Sequence, residues 1–153
     1  MIYDTAVDGL IIETDLCSSC NSASAFNTTT SGSYVKTNNN AIFNLEDDYK
    51  YYNYTKAYNS TESVYLSHPN ISATAFPFMA LAEQDGKVYP EVDGILGFSR
   101  QSDKGNNPLY LEFVKNSAHI SKEQIAFYMD THDGTNYVDV GAYNPSSIIK
   151  SMY

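Results

Sequence analysis

Residues 4–17 read Asp-Thr-Ala-Val-Asp-Gly-Leu-Ile-Ile-Glu-Thr-Asp-Leu-Cys. A polar turn ends at Gly9 and passes without a break into Leu10-Ile11-Ile12. Three consecutive apolar residues between polar neighbours are too few for a helix and predict a short buried strand. Tyr3, just before the turn, ends a second apolar stretch. The segment therefore reads as two extended pieces joined by a turn that presents Asp4 and Thr5.

Further along the chain, residues 17–40 are almost wholly small and polar, which predicts loops with brief extended pieces. Residues 41–45 predict a strand. Residues 49–66, dense in Tyr, Thr and Val, predict an exposed hairpin with its turn near Lys56 to Ser60. Residues 73–82 predict one or two strands interrupted by Pro77, and Val92 to Phe98 a short apolar strand. A helix is expected after Asn107, with Pro108 in the first turn, where its missing N–H costs nothing. Leu109, Phe113 and Val114 are expected on its buried face, and Ser121 to Gln124 as a helical turn. Ile125 to Met129 and Tyr137 to Val140 predict two strands around a turn at His132-Asp133-Gly134. The fold class expected is mostly β, a single domain over residues 1–153 with one or two short helices.

Composition narrows the function. The chain has 153 residues, enough to bury a core, and a formal net charge of −9. That sign repels phosphate backbones and anionic lipid, which argues against nucleic acid and membrane surfaces as partners. No apolar run approaches a membrane span. Asn27, Asn53, Asn59 and Asn70 each open an Asn-x-Ser/Thr triplet, the acceptor pattern for N-glycosylation. These triplets and a close cysteine pair point to the secretory route, although no signal peptide precedes Asp4. The expectation is a secreted glycoprotein whose true start lies upstream.

The Asp4–Cys17 segment resembles the first active-site loop of pepsin-like aspartic proteases, aligned without a gap. Residues 17–34, Cys-Ser-Ser-Cys-Asn-Ser-Ala-Ser-Ala-Phe-Asn-Thr-Thr-Thr-Ser-Gly-Ser-Tyr, are similar to that family's small disulfide loop and the turn after it. Val92-Asp93-Gly94-Ile95-Leu96-Gly97-Phe98 resembles its Phe-Asp-Gly-Ile-Leu-Gly-Leu strand, the most specific match in the chain. Residues 108–148 follow the family's order of helix, turn, strand and hairpin, ending at Gly141-Ala142. The resemblance implies the amino-terminal lobe of the bilobal acid-protease β-barrel fold, with the first strands and the carboxy-terminal lobe absent. It also implies a Cys17–Cys20 disulfide and a polypeptide substrate, with no cofactor and no metal. An acidic compartment is implied as well: extracellular, lysosomal or like a food vacuole.

By the same resemblance Asp4 is one of two catalytic aspartates, with Thr5 supporting its loop, and lies at the floor of a groove beneath a β-hairpin lid. Tyr52 is the candidate lid tyrosine, by spacing. The second aspartate belongs to the missing lobe; Asp130-Thr131 reads as part of a turn. Three departures favour an alternative, a catalytically inactive peptide- or protein-binding relative. Ala6 replaces a glycine and is expected to crowd the loop. Val7 replaces a hydroxyl donor, and Ile11 replaces a tryptophan. A redox reading of Cys17 and Cys20 lacks the helix start such motifs need. His68, His119 and His132 are scattered, Glu46-Asp47-Asp48 reads as a solvated face, and Asp93 reads as a structural strand-end residue.

Overall fold

The computed structural model describes residues 1–20, 24–37, 42–44, 53–66, 71–85, 92–99, 109–116, 119–129 and 136–142. Nine strands and one helix are found there: β1 (Ile2–Asp4), β2 (Leu10–Glu13), β3 (Val35–Lys36), β4 (Ile42–Asn44), β5 (Tyr54–Leu66), β6 (Ile71–Gln84), β7 (Gly94–Gly97), α1 (Tyr110–Asn116), β8 (Ile125–Met129) and β9 (Asn136–Val140). Seven strands form one sheet in the order β1-β7-β2-β6-β5-β3, with β4 also pairing β5, while β8 and β9 form a separate hairpin.

This sheet is covered on both faces, which is why its central strands read as unbroken apolar runs rather than as alternation. Successive residues of a strand point to opposite sides. Leu10, Phe78, Ala80 and Leu96 thus enter one cluster with Phe76, Phe98, Tyr110, Leu111 and Val114. Ile11, Met79, Leu81 and Ile95 enter the other, with Tyr54, Ala57 and Cys17. Helix α1 covers the first cluster with Tyr110, Leu111 and Val114. Val114 is buried as expected, but Tyr110 and Leu111 take the other buried positions: Leu109 is half-buried, and Phe113 packs only partly against the cluster. Asn107 and Pro108 lie outside the described residues. Residues 121–123 form a bend instead of a helical turn, and Gln124 N donates to Lys122 O at 2.9 Å.

Two expectations for the long strands are corrected. Residues 56–60 make no turn. β5 runs straight through them and pairs with β6 from Tyr54↔Gln84 to Leu66↔Ile71, so the chain reverses after Leu66. The segment 54–66 contains neither Gly nor Pro, and Ala57 and Ser60 are buried in the sheet, so the turn preference of Asn59-Ser60 is not enough to reverse the chain there. Pro77 does not interrupt β6, where it sits opposite Thr61. Pairing of β6 with β2 begins at Met79, so among the described residues no strand takes the second side of β6 beside Pro77, where a missing N–H is tolerated.

A β-bulge adjusts the same hairpin. Between the pairs Glu62↔Phe76 and Val64↔Ala73, Ser63 alone faces Thr74 and Ala75, and Ala75 has φ 52. The extra residue lets both Ala73 and Phe76 point into the core while Thr74 and Ala75 stay exposed. Phe76 is fully buried, edge-on to Tyr110 at 5.3 Å and to Phe113 at 5.1 Å. Phe76→Ala is expected to cost about 3–5 kcal/mol through lost contacts and a cavity. Urea unfolding should show a lower midpoint at an unchanged slope; an unchanged midpoint would contradict the packing described.

Candidate active site

Sheet order dictates the geometry around Asp4. β1 and β2 are neighbours in sequence, yet β7 lies between them, parallel to β1 and antiparallel to β2. The connecting residues 5–9 must pass over the end of β7. Three backbone hydrogen bonds hold them there: Gly97 N donates to Gly9 O at 2.7 Å, Phe98 N to Asp4 O at 2.7 Å, and Ser99 N to Val7 O at 3.1 Å. A Cβ on Gly97 would lie 2.3 Å from Val7 O, and one on Gly94 would lie 2.4 Å from Ile11 O. Both glycines of the Asp-Gly-Ile-Leu-Gly strand are thus places where backbone meets backbone. Gly9 supplies the left-handed turn into β2, with φ 75.

Asp4, the last residue of β1, is half-buried, and its Oδ1 accepts the Ala6 N–H at 2.7 Å. This turn fixes the carboxylate relative to its own loop. Ala6 does not crowd the loop as expected. It is exposed and its φ is not positive; the left-handed residue of the loop is Gly9. Val7 and Ile11 fill the second apolar cluster, where Ile11 is 1 % exposed. Thr5 is exposed and makes no hydrogen bond among the described residues.

Ile2, on the same side of β1 as Asp4, packs against that cluster, as do Tyr54 and Ala57 near the start of β5. β4 and β5 are antiparallel from Ile42↔Tyr58 to Asn44↔Lys56. One arm of this hairpin therefore shares an apolar cluster with the Asp4 loop. Tyr52 falls in the connection between the two strands, outside the described residues.

The Cys17 and Cys20 sulfurs are bonded to each other. Ser19 Oγ, inside the small loop they close, donates to Gln84 O at 2.9 Å and accepts from Gln84 N at 2.8 Å, tying it to β6. Asp93 sits before β7, its carbonyl accepting Glu13 N at 2.7 Å and its Oδ2 accepting Ser24 Oγ at 2.7 Å, as a strand-end residue would. His119 is exposed, 3.2 Å from Ser72 Oγ. His68, His132, Glu46-Asp47-Asp48 and the Asp130-Thr131 pair lie outside the described residues.

Among the glycosylation candidates, Asn27 and Asn53 are exposed and Asn59 is half-buried within β5, while Asn70 is outside the described residues. A cleft of about 510 Å3 lies on the Tyr3 side of β1, between Phe98, Leu66 and strand β9. It is on the opposite side of β1 from Asp4. Among the described residues, no helix is long and apolar enough to cross a membrane.

The family model for eukaryotic aspartyl protease matches residues 1–153. No curated protein matches the chain.

Proposed function

The chain belongs to the eukaryotic aspartyl protease family, and we propose that it is the amino-terminal lobe of an aspartic endopeptidase in which Asp4 is one half of a carboxylate dyad. The observation that carries this reading is the clasp of residues 4–9 over β7, which holds a half-buried carboxylate at a strand end through Ala6 N. A second lobe of the same protein supplies the partner aspartate. Two carboxylates sharing one site cannot both ionise, so the pair holds a single proton in acid.

The ionised member takes a proton from a water as the water oxygen bonds to the peptide carbonyl carbon. The protonated member gives its proton to the carbonyl oxygen. When the tetrahedral intermediate collapses, the C–N bond breaks and the nitrogen takes the proton that the first carboxylate accepted from water. One hydroxyl of the intermediate returns its proton to the second carboxylate, which restores the pair. The substrate is a polypeptide. An acidic secretory, lysosomal or vacuolar compartment follows from the dyad's need for one retained proton, and Asn27 and Asn53 are the exposed positions at which a glycan would stand.

One observation favours the second reading, a peptide- or protein-binding relative without catalysis. Val7, where the family has a hydroxyl donor, faces the apolar cluster and leaves no side-chain donor at that position. The full-length protein, assayed on denatured protein substrate near about pH 4, separates the two. Hydrolysis blocked by a statine inhibitor supports the protease. Inhibitor binding without hydrolysis supports the binder, and neither effect removes both.

A further inference from the structure

We propose that residues 27–33 form a strap held on the sheet by ionised Asp15 and Glu62, which comes loose in strong acid while the sheet beneath it stays folded. The loop is bounded by two aromatic feet. Phe26 and Tyr34 rings stand 6.0 Å apart, and both pack against Phe78. Phe26 is also fixed by backbone, its N donating to Glu13 O at 2.9 Å and its O accepting Asp15 N at 3.0 Å. Tyr34 is paired through its hydroxyl with Ser60 Oγ at 3.0 Å. Between these feet the chain makes a compact surface loop.

The loop's attachment to the sheet is carried by carboxylates. Thr28 donates to Asp15 Oδ1 through both Oγ1, at 2.7 Å, and N, at 3.0 Å. Ser31 Oγ donates to Glu62 Oε2 at 2.5 Å, and Ser33 Oγ donates to Glu62 Oε1. Glu62 is 8 % exposed, on β5 beside the bulge, and also accepts Ser63 N at 2.7 Å. Such bonds are strong while the acceptor is charged and weaken when it is protonated.

Residues 24–33 contain no ionisable side chain. Any pH response of the strap must therefore come from what holds it. The groups facing Glu62 from neighbouring elements are few. β6 has none that titrates between Ile71 and Ala82. The β3 side brings Tyr34 and Lys36, whose ammonium lies 3.4 Å from the centre of the Tyr58 ring. On the Asp15 side, Glu13 of β2 is two residues back along the chain, and Glu83 of β6 is paired with Lys56 at 2.7 Å.

Burial pushes the Glu62 carboxyl up, but the Ser31, Ser33 and Ser63 donors outweigh it and hold it below 4.5. Asp15 behaves alike. Slight burial is outweighed by Thr28 side chain and backbone, its own amide and Thr29, which hold it below 3.8. A depressed carboxylate contributes its stabilisation above the unfolded value and loses it as pH falls through the folded one. The strap is therefore still fastened in mild acid and opens only below the ordinary carboxylate range.

Hydrogen exchange on the intact protein, resolved by peptide and corrected for intrinsic rates, tests this. Protection of residues 27–33 should hold down to pH 4.5 and fall about tenfold or more below pH 3.8, while β2 and β6 stay protected. Loss in step with β6, or no loss, would overturn the proposal. Glu62→Gln should loosen the strap already at neutral pH, and wild-type protection in that variant would overturn it. Should that variant not fold, Ser31→Ala with Ser33→Ala leaves the strand intact. It removes the same two attachments to Glu62 and should likewise lower protection of the strap at neutral pH; wild-type protection would overturn the proposal.

Discussion

Gly97→Ala is expected to cripple both the fold and the site, although it adds a single methyl group. The added Cβ would stand 2.3 Å from Val7 O and 2.7 Å from Asp8 C. Both are backbone atoms, so no side chain can swing aside. Either β7 slides away from β1 and β2, breaking the Gly97–Gly9 and Ser99–Val7 bonds, or residues 5–9 lift off. Overpacking of this kind costs about 1–3 kcal/mol, and more where backbone must yield. Lifting the loop also carries Asp4 away, and a displacement of about 1 Å at a reacting group is worth about 100-fold in rate. Gly32→Ala is the matched control. Nothing lies within 4 Å of a Cβ there, and its stability should stay within about 0.5 kcal/mol of the parent. Thermal unfolding of the two variants side by side decides the matter; equal melting points would contradict the clasp.

Much of this arrangement was legible in the residues. Leu10-Ile11-Ile12 and Gly94-Ile95-Leu96-Gly97 announce buried strands because both faces of their sheet are covered. The hairpin of β8 and β9 falls where Ile125 and Tyr137 place it. What failed is equally physical. The stretch from Lys56 to Ser60 reads as a turn by composition, ending in Asn59-Ser60, but a partner strand of 14 residues gives β5 hydrogen bonds along its whole length. Tertiary pairing outweighed local preference there. Pro77 misled because the sequence does not reveal that, among the described residues, only one side of β6 is paired beside it.

The site divides in the same way. The cysteine pair could be found from motif order, and the same order is what makes Asp4 the candidate carboxylate. The strain-bearing glycine could not be told apart: Ala6 drew attention by departing from a pattern, whereas Gly9 is the residue with φ 75. Gly97 stood inside a recognised motif, but its role needs the distance to Val7 O. Asp15 and Glu62 left no signal, since a carboxylate in a β-rich chain looks solvated until its serine and threonine donors, 13 to 31 residues away, are seen to converge on it.

Asp4→Asn tests the central claim most directly. The substitution keeps the size of the side chain and an oxygen to accept the Ala6 N–H, so the loop should stay clasped and the melting point nearly unchanged. It removes the charge and the ability to exchange a proton with water, the one property the dyad requires. A positioned acid–base group is worth about 10²–10⁴ in rate, and the upper part of that range is expected. In the full-length protein, peptide hydrolysis in acid should fall by about 10⁴-fold, with inhibitor and substrate still bound. If the asparagine variant hydrolyses peptide as fast as the parent, Asp4 is not part of the catalytic pair.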